Sequence, residues 1–183
     1  FERYARLPVD IDVASEFRYR EPPLEQGGLS LFISQSGETA DTLAALRYCA
    51  SQGQHVASLV NTLESTIARE SSVVFPILCG PEIGVASTKA LTAQLTALAS
   101  LAIAAGRARG VLDAGKEQEF VEQMTGLPTA VSQALSTENQ IMEIAKRLSR
   151  AKDVLYLGRG PMFPIAMEGA LKLKEISYIH AEG

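Results

Sequence analysis

Apolar and polar positions along the chain alternate between two periods. Residues 29–33 (LSLFI) form an apolar run, followed by a small polar turn and a stretch at helical spacing that stops at Gly53. That order predicts strand, loop and helix. Residues 55–60 (HVASLV) and 73–78 (VVFPIL) read as further strands, with a short helix near 65–70 between them. Pro76 removes a ladder donor, so the third of these strands suits a sheet edge. Strands alternating with helices at this spacing call for a parallel sheet covered on both faces. Ahead of them, residues 8–15 (PVDIDVAS) alternate apolar with polar and predict an edge strand, followed by a mixed charged and aromatic stretch over 16–20.

Beyond Glu82 the helical segments lengthen. They are predicted over 85–106, over 115–125 with Gly126 as the stop, after Pro128, and from a Thr137 cap to residue 151. A new apolar strand is predicted over 154–157, then a turn at 158–160 and a helix from about 164 to 179, which His180 ends. This repeats the strand-turn-helix plan of the earlier stretch, and it predicts a first subdomain over 1–150 and the start of a second over 151–183.

Composition narrows the function classes. With 183 residues, 46% of them hydrophobic, the chain can bury a core, and a net charge of −4 without a basic tract argues against nucleic acid or an anionic membrane as main partner. Cys49 and Cys79 are the two cysteines, in no CxxC arrangement, so neither a disulfide framework nor a zinc cluster is suggested and a cytoplasmic setting fits. The uncharged run 90–106 is rich in Ala, is made only weakly hydrophobic by Thr92, Gln94, Thr96 and Ser100, and is shorter than the roughly 20 residues of a bilayer span. It reads as a helix buried in the domain or at a subunit contact.

The turn at 34–39 gathers the hydroxyls of Ser34, Ser36 and Thr39, the amide of Gln35 and the flexible Gly37 at a helix start, where backbone N–H groups lack partners. Such a place suits an anion, and a phosphate monoester could be held there without lysine. The turn lacks the GxxxxGK[ST] of a P-loop and the GxGxxG of a dinucleotide site. The plainer reading is a cap, with Ser36 as N-cap and Ser34 and Thr39 serving only turn backbone.

On the helix over 164–179, Glu168, Lys172 and Glu175 fall at i, i+4 and i+7 and share a face. An exposed ion-pair ladder is one reading. Ile165, Ile176 and Ile179 on the same stripe predict partial burial, which would suit a general base. The segment 84–88 is a second small-residue turn before a helix, with Ser87 or Thr88 as candidate cap. His55 and His180 have no second ligand at metal spacing, and no metal or cofactor is implied.

Three motifs together carry a resemblance: SQSGETADT at 34–42, EIGVASTKA at 82–90 and GALKLKEISYIHAE at 169–182. Ser-x-Ser-Gly-x-Thr after a buried parallel strand resembles the phosphate loop of sugar isomerase (SIS) domains, and the set is similar to the isomerase parts of hexosamine-forming amidotransferases. The resemblance implies an α/β fold, an αβα sandwich of flavodoxin-like or Rossmann-like three-layer architecture with a parallel sheet flanked by helices. It also implies a cytoplasmic homodimer that takes fructose 6-phosphate and yields glucosamine 6-phosphate. By the same resemblance Ser34, Gln35, Ser36 and Thr39 bind the phosphate, and Val85 and Ser87 line the sugar. Glu175 moves the proton between C1 and C2, Lys172 assists at the sugar hydroxyls, and Glu168 orders Lys172.

The chain departs from the family pattern at both ends. It begins after the opening strand and its Cys-Gly-Thr-Ser type loop, and it stops before the ring-opening histidine and the C-terminal lysine. No amino-terminal glutaminase domain is present, and neither Cys49 nor Cys79 can be its nucleophile. A fragment of a longer protein is expected, without synthase activity on its own. The alternatives are a non-catalytic SIS module that senses a phosphosugar, which would need no base, and a nucleotide-binding Rossmann domain, for which the glycine fingerprint is missing.

Overall fold

The structure, a computed structural model, describes residues 1–183. They pack as two units, residues 1–82 with 87–120 and residues 83–86 with 121–183. In chain order the elements are α1 (Glu2–Ala5), α2 (Ala14–Arg20), β1 (Leu29–Ser34), α3 (Ala40–Ser51), β2 (His55–Val60), α4 (Thr66–Glu70), β3 (Val73–Pro76), α5 (Lys89–Ala108), α6 (Ala114–Thr125), α7 (Leu127–Leu135), α8 (Glu138–Leu148), β4 (Asp153–Leu155), α9 (Met162–Ser177) and β5 (His180–Glu182).

The first unit is organised by a three-stranded parallel sheet in the order β1-β2-β3. β2 lies in the middle, with Leu29 opposite His55, Ser34 opposite Val60, and Val60 in turn opposite Pro76. Its Val56, Ala57, Ser58, Leu59 and Val60 are all buried, the continuous apolar character expected of a strand covered on both faces. Pro76 ends the edge strand β3, where its missing N–H costs no ladder bond. β1 forms the other edge, and its Leu29 and Ile33 remain exposed.

The core lies where α3 and α4 meet the sheet: Leu46, Val56, Val60, Ile67 and Ala68 are buried together, with Phe32, Leu43 and Val74 against them. Burying each large aliphatic side chain contributes roughly 1.5–3 kcal/mol. Two charged links hold the helices beside it. Arg47 grips Glu70 through two hydrogen bonds of 2.8 and 2.6 Å, tying α3 to α4, and Arg18 pairs with Asp41 at 2.6 Å, tying α2 to α3.

The N-terminal segment departs from the edge strand predicted over 8–15. Residues 8–13 form no strand, and the charged and aromatic stretch is helical, within α2. Period-two alternation makes a strand only where a neighbouring strand completes the ladder, and none lies beside 8–13, so Ile11 is 93% exposed. The α2 segment instead packs Phe17 edge-on to Tyr48 of α3, while Tyr48 Oη donates to Pro22 O at 2.9 Å.

The 20-residue α5 is, by length and composition alone, long and apolar enough to cross a membrane. Four of its residues, Ala90, Ala102, Ile103 and Gly106, are buried. Gly106 is where α1 comes close: a Cβ there would sit 2.4 Å from Tyr4 O.

The second unit holds the parallel pair β4–β5, connected by α9. Ala166 and Ala170 are the buried residues of α9, and Gly169 admits the Tyr156 ring, since a Cβ there would lie 2.8 Å from Cε1. His180 does not end the helix. α9 stops at Ser177, Tyr178 turns through the left-handed region at φ 59°, and His180 begins β5. α7 and α8 bury no residue.

One buried side-chain polar atom has no partner, Ser58 Oγ in the centre of β2. An unpaired buried hydroxyl carries its desolvation cost with nothing to offset it. Ser58→Ala should therefore raise stability by about 1 kcal/mol, measured as the urea midpoint. A loss of 1 kcal/mol or more would mean that the hydroxyl is satisfied.

Candidate active site

The β1–α3 turn leaves the carboxyl end of the sheet beside the central strand, the usual place for a ligand in a parallel sheet. Gly37, buried at φ 67°, makes the turn possible: a Cβ there would meet Ser65 Oγ at 2.0 Å and Ser65 Cβ at 2.5 Å. Its N–H donates to Ser34 Oγ at 3.0 Å, and Glu38 N–H donates to Ser36 Oγ at 3.2 Å. Ser34 Oγ lies 3.3 Å from Thr39 Oγ1, so these two hydroxyls are linked, while Ser36 Oγ stands apart from them. Thr39, not Ser36, is the N-cap of α3, and its side chain makes no cap bond. Ser34 is buried and serves turn backbone, as the plainer reading had it, whereas Ser36 and Thr39 are exposed. Gln35 is half-buried, and its carbonyl accepts from Asn61 N–H at 3.2 Å.

The turn carries no lysine or arginine, and the nearby carboxylates are engaged elsewhere. Asp41 pairs with Arg18, and Glu38 Oε1 accepts from Thr66 N–H at 2.7 Å. The Thr66 backbone bond holds the Glu38 carboxyl below the ordinary carboxylate range. A lowered folded value makes this contribution full above the unfolded value of about 4.3, and it is lost as pH falls through the lower folded value.

Two residues that sequence reasoning missed order the next loop. Asn61 donates to Gly80 O at 2.7 Å and accepts from Cys79 N–H at 3.0 Å. Glu82 caps α5 from outside it, with Oε2 accepting from Ala90 N–H at 3.1 Å and Oε1 from Thr88 Oγ1 at 3.2 Å. Neither Ser87 nor Thr88 supplies a side-chain cap. An asparagine just past a strand and a glutamate seven residues before a helix give no local signal, because both act on backbone folded back towards them. Ser87 is half-buried and Val85 is 95% exposed.

Within the second unit, α9 brings Lys172 and Glu175 together. Lys172 Nζ donates to Glu175 Oε2 at 2.6 Å and lies 3.5 Å from Glu168 Oε1. Lys172 and Glu168 are half-buried, with 24% and 28% of their side-chain surface exposed, whereas Glu175, Ile165 and Ile176 are exposed. The Glu175 hydrogen bond, helped by the charge of Glu168, holds the Lys172 ammonium above its ordinary value. Its pairing energy is full below the unfolded lysine value of about 10.4 and fades only as pH rises through the higher folded one. At neutral pH Lys172 is a cation and a donor.

The SIS domain profile matches residues 1–104. The chain belongs to the SIS domain family. This SIS domain chain is 66% identical over its whole length to glutamine--fructose-6-phosphate aminotransferase [isomerizing] of Agrobacterium fabrum, and equally to that of Brucella abortus, covering 30% of each. It thus spans under a third of the length of these curated relatives. Among solved structures, the C-terminal domain of glucosamine-fructose-6-phosphate aminotransferase from Francisella tularensis aligns over 99% of this chain and 51% of its own, with a TM-score of 0.96 and 43% identity. Glucosamine-6-phosphate deaminase from Thermotoga maritima aligns over 99% of this chain and 53% of its own, with a TM-score of 0.76; at 23% identity that likeness is one of fold.

Gly37→Ala tests the turn of the SIS domain directly. The added methyl meets Ser65 and strains a left-handed residue, so stability should fall by about 2 kcal/mol or more. An unchanged thermal midpoint would refute the packing described for Gly37.

Proposed function

We propose that this chain is the phosphosugar-handling part of an enzyme that condenses fructose 6-phosphate with glutamine-derived ammonia and isomerises the product to glucosamine 6-phosphate. The observation that carries the reading is the pairing of the half-buried Lys172 with Glu175 at 2.6 Å, in a chain 66% identical to an isomerising aminotransferase. A phosphosugar sensor would need the hydroxyl turn but no base beside a cation.

The phosphate dianion binds at the β1–α3 turn. Ser34, Ser36 and Thr39 supply hydroxyls, Gln35 its amide, and the start of α3 its N–H groups and the positive end of its dipole. Val85 and Ser87 line the sugar. Glu175 takes the proton from C1 and returns it at C2, one carboxylate serving adjacent carbons of an enolamine. Lys172 stays protonated and stabilises negative charge that develops on the sugar oxygen. No cofactor enters this chemistry. Residues 1–150 constitute the first SIS subdomain and 151–183 open the second. The native protein works as a cytoplasmic homodimer with a glutaminase domain elsewhere in its chain.

Two measurements on the full-length native protein test this. Calorimetry should give a far smaller Kd for fructose 6-phosphate than for fructose, and equal affinities would remove the phosphate site. Glu175→Gln should retain phosphosugar binding while lowering hexose-phosphate isomerisation by about two to four orders of magnitude. An unaltered rate would return Glu175 to the role of a surface ion-pair partner.

A further inference from the structure

Glu38 presents an electrostatic conflict, because it places a carboxylate inside a turn proposed to receive a dianion, where like charges repel. The geometry around it offers a resolution. The segment from the end of β2 to the start of α4 fastens the turn at three points. Asn61 N–H donates to Gln35 O at 3.2 Å, Ile67 N–H donates to Gly37 O at 3.0 Å, and Thr66 N–H donates to Glu38 Oε1 at 2.7 Å. Only the last uses a side chain of the turn. Thr66 is the first residue of α4, after the N-cap Ser65, so its N–H is one that the helix itself leaves unpaired. The cation of Arg69, whose Nη2 donates to Thr66 Oγ1 at 2.9 Å, adds favourable charge for the carboxylate.

We infer that Glu38 is a positioning residue of the β1–α3 turn: by holding the Thr66 N–H, its carboxylate sets the backbone of residues 36–39 in the form that receives phosphate. The inference rests on the phosphate reading of the turn. It makes a prediction opposite in sign to simple charge repulsion, under which removing Glu38 would tighten binding of a dianion. Here removal loosens it.

The test is calorimetric, on the full-length native protein, and reads the preference for fructose 6-phosphate over fructose. Glu38→Ala should lower that preference about tenfold, the worth of one charge-assisted hydrogen bond, while Glu38→Gln, which keeps an acceptor for Thr66 N–H, should retain most of it. Thr66→Pro removes the donor at a first helical position that tolerates proline, and should match Glu38→Ala. Thr66→Ala, which keeps the N–H and removes only the hydroxyl that lends the Glu38 carboxylate a second, weaker hold, should lose less of the preference than Thr66→Pro, and the Glu38→Ala/Thr66→Pro double variant should be no worse than either single one. Equal or tighter phosphosugar binding by folded Glu38→Ala overturns the inference. If that variant does not fold, an undiminished preference in Thr66→Pro overturns it instead. A wild-type protein without any preference removes the phosphate reading and this inference together, whereas a wild-type preference unmoved in the variants removes the inference alone.

Discussion

The arrangement at the carboxyl end of the sheet depends on one close approach, that of Gly37 to Ser65. Where β1 and β2 end, their ladder ends too, and the backbone that follows needs other partners. Gly37 meets this need by turning through φ 67° so that its N–H reaches Ser34 Oγ and its carbonyl receives Ile67 N–H, with no room for a side chain against Ser65. The hydroxyls of Ser34, Ser36 and Thr39 are placed by that turn. Ser65 in turn caps α4, accepting from Ala68 N–H at 3.4 Å, so the helix start and the turn are held by the same few atoms.

Charge is distributed to match. The turn has no cation, and the two nearby carboxylates are taken up by donors of the protein, Glu38 by Thr66 N–H and Asp41 by Arg18. Ser36 and Thr39 face solvent at the positive end of a 12-residue helix, beside the exposed but hydrogen-bonded carboxylate of Glu38. The opposite plan holds on α9, where Lys172 sits between Glu175 and Glu168 and keeps its proton.

Much of this was legible in the sequence because the signals are local. The apolar run of β2, the small polar residues before α3, Pro76 at an edge and the i, i+4, i+7 spacing of Glu168, Lys172 and Glu175 each depend on neighbours in sequence. What escaped depends on distant partners. Residues 8–13 alternate like a strand yet lie beside no strand that could complete the ladder, and His180 belongs to β5 because it pairs with Asp153 across α9. Glu38 bonds an N–H 28 residues away, and Asn61 holds Cys79 and Gly80 across the length of β3. Such contacts leave no periodicity to read.

The proposed phosphate site is a hydroxyl turn without cations at the start of α3. A crystal structure of the full-length native protein with fructose 6-phosphate tests it most directly. The phosphate oxygens should lie within hydrogen-bond distance of Ser36 Oγ, Thr39 Oγ1 and the turn's backbone N–H groups, with Gly37 still packed on Ser65. A phosphate bound to a lysine or arginine cluster elsewhere, with the turn empty, would contradict the account.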